Sequence, residues 1–214
     1  MPLATTTLLV LAKEPVPGRV KTRLCPPCSP IEAAVIAEAA LADTLAAVAQ
    51  CGADRRVVAL EGSPGAWLPA GFDVIRQRGR GLDERLSNAW DDAGGPGLQI
   101  GMDTPHVSPA LLDESLDALL RTGVDAVLGD ASDGGWWAIG LRRPDARVFT
   151  GIAMSRADTG RCQRRRLSEL DLQTRDLPVL CDMDHFGDAV RLAAAMPGSR
   201  TASAVRAVAG ASRP

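Results

Sequence analysis

Thr5-Thr6-Thr7-Leu8-Leu9-Val10-Leu11-Ala12, running directly into Lys13-Glu14-Pro15-Val16-Pro17-Gly18-Arg19-Val20-Lys21-Thr22-Arg23, decides the fold. The first run is apolar and β-branched and lacks the 3.6-residue spacing of an amphipathic helix. It reads as a strand buried on both faces. The second run cannot continue that strand. Pro15 and Pro17 remove backbone donors, and Gly18 admits a positive φ or a close ligand approach. A buried strand that ends in a proline-bent, basic loop is the start of a parallel α/β sheet with something anionic at its edge.

Outward from there, strands and helices alternate. Ser29-Pro30-Ile31-Glu32 is a helix start, with Ser29 as cap, Pro30 at the first helical position and Glu32 closing a capping box. That helix runs to about Gln50 and Gly52 ends it. Further strands are expected at Arg56–Leu60, Phe72–Arg76, Leu98–Met102, Ala126–Leu128, Trp136–Leu141 and Pro178–Cys181. Helices are expected at Leu82–Asp92, from Ser108-Pro109 to Gly123, at Asp158–Leu170 and at Phe186–Ala195. This order implies a mainly parallel sheet with helices on both faces. One domain is expected over residues 1–195, followed by a tail or weak helix over 196–214.

Composition narrows the function. The chain has 214 residues, 46% hydrophobic and 23% charged, which suits one globular domain. A net charge of −2 gives no electrostatic case for nucleic acid or an anionic membrane. The most apolar long stretch, Ile31 to Ala49, carries Glu32, Glu38 and Asp43 and is too polar to span a bilayer. Met1 to Ala12 lacks a basic leader and reads as a strand, so a cytoplasmic location is expected. The five cysteines are an odd number and suggest no disulfide framework. Cys25-Pro26-Pro27-Cys28 lacks a second ligand pair, and no structural zinc is expected there.

In parallel sheets, ligands bind beyond the carboxyl ends of the strands. Four polar segments follow expected strands and would share one sheet edge: Lys13–Arg23, Asp103–His106, Asp130–Gly135 and Asp182–Asp184. The first supplies cations. Of the chain's 24 basic residues only two are lysines, Lys13 and Lys21, and both lie in this loop. A compact, mobile ammonium suits phosphate, and Lys13, Arg19, Lys21 and Arg23 around Gly18 could hold a diphosphate. There is no Walker loop and no dinucleotide fingerprint. The other segments supply carboxylates. Asp103, at a strand end, could hold Mg²⁺ or Mn²⁺ against phosphate oxygens, or serve as a turn cap. Asp133-Gly134-Gly135-Trp136-Trp137 joins an acid to two glycines that could let backbone approach a ligand and to indoles that could stack on a sugar. The alternative there is a turn feeding a core strand. Asp182-Met183-Asp184 precedes a helix, where it could also be a cap.

These residues resemble a known family. Ala12 to Leu24 is similar to the opening motif of the bacterial DUF2064 proteins, a branch of the GT-A-like nucleotide-diphospho-sugar transferase superfamily. Gly101-Met102-Asp103-Thr104-Pro105 resembles their G-x-D-x-P, and Ser132 to Leu141 their E-D-G-G-Y-Y-L-I-G-L. Asp182-Met183-Asp184 with Asp188 resembles D-V-D-T-x-E-D. Gln77-Arg78-Gly79 with Leu82 and Arg85 resembles Q-x-G-x-x-L-x-x-R. The likeness runs from about residue 6 to 192. It implies a single-domain, Rossmann-like GT-A fold, related to the molybdenum-cofactor nucleotidyltransferases. It also implies roles. Lys13, Gly18, Arg19, Lys21 and Arg23 would cradle phosphates, with Gln77, Gly79 and Arg85 on the nucleotide side. Asp103 and Asp184 would hold Mg²⁺ or Mn²⁺. Asp133, Gly134, Gly135 and Trp136 would face the sugar or acceptor, with Asp133 and Lys21 as the catalytic candidates. Ser132 replaces the family's Glu, His106 stands where an acid or small residue is common, and Phe149 to Ser155 lacks the usual Trp. All three departures fall on the acceptor side.

The expected function is a metal-dependent glycosyl transfer from a nucleotide-sugar to a small-molecule acceptor. The alternatives are a nucleotidyltransferase that takes an NTP and releases pyrophosphate, and a catalytically degenerate nucleotide-binding protein.

Overall fold

A computed structural model of the chain describes residues 5–211. Seven strands form one sheet: β1 (Thr7–Lys13), β2 (Arg55–Glu61), β3 (Asp73–Arg76), β4 (Gly97–Gly101), β5 (Ala126–Asp130), β6 (Trp136–Leu141) and β7 (Thr174–Asp176). Their order is β3-β2-β1-β4-β6-β5-β7. Every neighbouring pair is parallel except β4–β6 and β5–β6, so β6 alone is reversed. The opening strand is central, with Val10 between Val58 of β2 and Ile100 of β4. That position explains why both of its faces are apolar.

Six α-helices are found among the described residues: α1 (Pro30–Gln50), α2 (Leu82–Ala93), α3 (Pro109–Leu120), α4 (Thr159–Glu169), α5 (Phe186–Ala195) and α6 (Arg200–Ala211), the first four packed on the sheet. The period-2 alternation of the strands builds two cores. Leu8 and Val10 face Leu41 and Leu45 of α1 and Leu112 and Leu116 of α3. Leu9 faces Leu86 and Trp90 of α2 and Leu167 of α4. Each fully buried leucine contributes about 1.5–3 kcal/mol. A third cluster lies outside the sheet, where α5 and α6 pack on α1 through Ile36, Ala40, Leu192 and Val205. The expected capping box at Ser29 is present, with Glu32 N donating to Ser29 Oγ and Ser29 N to the Glu32 carboxylate.

One strand differs from its expected position. The last strand lies at Thr174–Asp176 rather than Pro178–Cys181. Pro178 has no N–H to donate to a ladder, and beyond β7 only an isolated bridge joins Leu180 to Ala131. Residues 200–211 form α6, anchored where Asp43 of α1 accepts from Thr201 N at 2.8 Å and Thr201 Oγ1 at 2.7 Å. The last residues of the chain, 212–214, lie outside the described residues. No helix among those described is long and apolar enough to cross a membrane.

Candidate active site at the carboxyl edge of the sheet

Because β1, β2, β3, β4, β5 and β7 run the same way, the segments that follow them emerge on one edge. All four polar segments singled out in the sequence lie there, in two groups.

The first group surrounds a cavity of about 230 Å³ between the loop after β1 and the end of β2, lined by Lys13, Glu14, Val16, Arg19, Val20, Glu61 and Gly62. The loop is shaped by its own backbone. Arg19 N donates to Val16 O at 3.0 Å, and Gly18 turns the chain at φ 75° with open space where a Cβ would be. Lys13 Nζ sits 3.3 Å from Glu61 Oε2, and Arg85 pairs with the same oxygen. Burial would raise the Glu61 pKa, but Lys13 and Arg85 outweigh it and hold the carboxyl below its usual range. Gln77 ties the ends of β1 and β2 together beside it. Its Nε2 donates to Ala12 O at 2.8 Å and to Ala59 O at 2.9 Å, which leaves Oε1 as a buried acceptor without a partner among the described residues. Gly79, at φ 124°, offers its carbonyl to Arg85 Nε at 3.4 Å. Gln77, Gly79 and Arg85 thus stand together at the edge of β1, β2 and β3.

The second group is acidic around one ammonium. Lys21 Nζ donates to Met183 O at 2.6 Å and lies 3.1 Å from Asp103 Oδ2 and 3.8 Å from Asp184 Oδ1. Arg23 Nη1 reaches Asp184 Oδ2 at 2.7 Å. Met183 N donates to Asp103 O at 3.1 Å, which ties the segment after β4 to the one before α5. Asp133 caps its own turn, accepting from Gly135 N at 2.9 Å.

Asp182 was quoted with Asp184 in the sequence but given no role, and it is the most perturbed acid of the group. Burial first, then the charges of Asp103 and Asp133, push its pKa up to about 7 against the pull of Lys21. Its Oδ1 is buried and unpartnered among the described residues, as are Thr104 Oγ1 and His106 Nδ1 in the adjoining loop. Burial holds the His106 pKa below its usual value. A repeated acid before a helix was the visible signal; its burial depends on packing between distant segments.

Three expectations change. The basic loop is not one cradle: Lys13 and Arg19 line the cavity, whereas Lys21 and Arg23 turn to the acids. The reversal occurs at Lys21, whose φ of 47° and ψ of 37° are left-handed. The two indoles do not form one platform, because adjacent strand residues point to opposite faces. Trp137 is 2% exposed, sits in the core and donates to Pro178 O at 2.8 Å. Trp136 is half-buried against the other core cluster. The glycine pair approaches protein backbone. A Cβ on Gly134 would overlap the Ala157 carbonyl, and Gly160 N donates to Gly134 O at 2.9 Å. These glycines dock the start of α4.

The acidic group offers oxygens only, which is the chemistry of a hard divalent cation. No three His, Cys, Asp or Glu side chains among the described residues are arranged to hold a metal ion as they stand. Cys25 and Cys28 are free thiols. The Cys28 thiol, packed in the outer cluster, is pushed up to about 11 by burial, then by Cys25 and Glu32.

A family model described as uncharacterized proteins conserved in bacteria, DUF2064, matches residues 33–156. Among the curated proteins, none matches this sequence. A solved structure from Desulfovibrio desulfuricans G20, provisionally named a nucleotide-diphospho-sugar transferase, is 26% identical with a TM-score of 0.84 and 95% of each chain covered. Rv0371c from Mycobacterium tuberculosis H37Rv, in a complex with manganese, is 24% identical with a TM-score of 0.54, over 88% of this chain and 97% of that one. A CMP:2-keto-3-deoxy-manno-octonic acid synthetase in complex with CTP is 11% identical with a TM-score of 0.59, over 91% of this chain and 99% of that one. The last two likenesses concern the fold.

Proposed function

The chain belongs to the DUF2064 family, and from that premise we propose that it is a metal-dependent transferase that binds a nucleotide-sugar and passes the glycosyl group to a small-molecule acceptor. The observation that carries this reading is the adjacency, on one sheet edge, of a cavity bordered by Lys13 and Arg19, with Glu14 and Glu61 beside them, and a cluster of carboxylates around the Lys21 ammonium. The provisional name of the Desulfovibrio relative supports it.

Lys13 and Arg19 hold the phosphates in this reading, with Gln77, Gly79 and Arg85 on the nucleotide side. Gly18 lets the loop backbone come close. Asp103 and Asp184 would hold Mg²⁺ or Mn²⁺, and Asp182, whose Oδ1 has no hydrogen-bond partner among the described residues, would join them as a donor. The donor type, carboxylate oxygen, suits such a cation, although no three of these side chains are gathered round one point as they stand; once bound it would neutralise charge on the departing nucleoside diphosphate. Asp133 takes the proton from the acceptor hydroxyl as its oxygen bonds to the sugar carbon and the bond from that carbon to phosphate oxygen breaks. Gly134 and Gly135 fix the turn that carries Asp133, and Trp136 borders it.

A second reading, nucleotidyl transfer from an NTP, is favoured by the burial of Trp137, which removes half of the expected sugar-stacking surface. Thermal unfolding against a panel of NTPs, nucleoside diphosphates and sugar nucleotides, with and without Mn²⁺, separates the two. A ligand at about a hundred times its Kd adds roughly 2.7 kcal/mol, or about 5–11 °C for a domain of this size. Greatest stabilisation by sugar nucleotides supports glycosyl transfer; stabilisation by NTPs alone supports the second reading. No response to either at millimolar ligand with metal removes both and leaves a protein without transferase function.

A further inference from the structure

Lys21 is not placed as a phosphate ligand is placed. Its side chain is 8% exposed, and its ammonium is held by oxygens of two segments: Asp103 after β4, and Met183 and Asp184 before α5. These are the same oxygens that a divalent cation would need. We propose that Lys21 is a resident counter-cation of the acidic group, which a divalent metal must displace on entering, so that metal and phosphate bind cooperatively. The inference rests on the transferase reading for the identity of the site and extends it to the order in which the site fills.

Three observations carry it. First, the ammonium, itself nearly removed from water, makes one short hydrogen bond and two ion pairs to partly exposed carboxylates, one of which it shares with Arg23, and a buried ammonium is costly to leave unpaired. Second, the carboxylates gathered there do not close round a metal as they stand, and the ammonium lies against two of them. A dication and an ammonium sharing those oxygens would repel each other. Third, the backbone that holds Lys21 is suited to release. Its left-handed φ of 47° is a conformation that a lysine keeps only when its surroundings demand it. Three residues earlier Gly18 turns in open space. An expelled ammonium would be free to meet the phosphates held by Lys13 and Arg19. Metal without phosphate would leave Lys21 unpaired, and so would bind weakly; metal with phosphate would not.

The test measures Mn²⁺ binding by electron paramagnetic resonance, with pyrophosphate as the phosphate probe and no catalytic assay. Mn²⁺ alone should bind Lys21→Met at least about tenfold more tightly than wild type, while Lys21→Arg stays near wild type. Pyrophosphate should tighten Mn²⁺ binding to wild type but much less to Lys21→Met. Asp103→Asn added to Lys21→Met should abolish the gain, which locates the metal in this group. Equal Mn²⁺ affinity in wild type and Lys21→Met overturns the proposal, as does no binding by either at millimolar Mn²⁺. Circular dichroism checks folding, with Lys21→Gln as a second neutral variant. Loss of fold in both would overturn the proposal by making Lys21 a structural ion. The Mn²⁺-alone comparison stands apart from the nucleotide panel, so a failed transferase reading and a failed counter-cation are told apart.

Discussion

Lys13 and Lys21 are the chain's two lysines, in one loop on one sheet edge, and the protein uses them oppositely. Lys13 is 52% exposed, lines a cavity and shares Glu61 with Arg85. Lys21 is 8% exposed and faces backbone oxygen and carboxylates. The first can turn to an arriving anion at little cost, because Arg85 keeps Glu61 paired. The second cannot move without a replacement charge. Around Lys13 the edge is open to ligand; around Lys21 it is already filled from within. The difference shows that a basic loop is not a single electrostatic object, since one backbone reversal sends neighbouring cations to unrelated tasks.

The largest expected effect lies on the acidic side. Asp103→Asn keeps shape and one acceptor but loses the charge. It should remove the gain in nucleotide affinity given by Mn²⁺, about a hundredfold or ~2.7 kcal/mol, as read by calorimetric titration. An equal gain in the mutant would make Asp103 a turn cap and break the contrast between the two regions. Next is the turn that carries Asp133. Gly134→Ala places a Cβ at φ 91° against the Ala157 carbonyl and should cost about 1–3 kcal/mol of stability, seen as a Tm lowered by roughly 2–12 °C.

On the open side, Lys13→Ala should weaken nucleotide binding about tenfold, one charge-assisted hydrogen bond's worth, and leave Mn²⁺ affinity in the absence of nucleotide unchanged. A change in that Mn²⁺ affinity would mean the two regions are one. The smallest effect comes from His106. Burial depresses its pKa, so the unfolded chain binds its proton more readily than the folded one. Its contribution to stability is complete above the unfolded value near 6.5 and is lost as pH falls toward the folded value. The difference in urea stability between wild type and His106→Gln should therefore vary with pH over that window, by no more than about 1.4 kcal/mol per pH unit. A pH-independent difference would show that His106 titrates as it does in water.

The placement of the helices and of all strands but the last was legible because it follows from local pattern, whereas the strand order and the reversal of β6 are set by tertiary pairing. The apolar run at Thr5–Ala12 marked a buried strand, and Ser29 and Glu32 marked a helix start whose hydrogen bonds are those expected. The gathering of Lys13, Asp103, Asp133 and Asp184 on one edge followed from strand direction alone. What was not legible depended on conformation at single residues or on distant packing. A lysine with positive φ is not announced by its neighbours, so the split of the basic loop was hidden. Gly134 and Gly135 look alike whether they admit a ligand or a helix, and only the position of Gly160 decides between them. The perturbation of Asp182 arises from burial beside Asp103 and Asp133, far away in sequence. The opposite fates of Trp136 and Trp137 could have been read from strand alternation.

The reversed strand β6 has a mechanical consequence. Because it runs against β5, the two are joined at the carboxyl edge by residues 131–135 alone. Ala131 N binds Gly135 O across that turn, and Gly134 is latched to Gly160. A hairpin tip this short, tied at both flanks, has no hinge of its own. On this side the protein presents a fixed template, and any movement along this edge has to come from the longer segments across it.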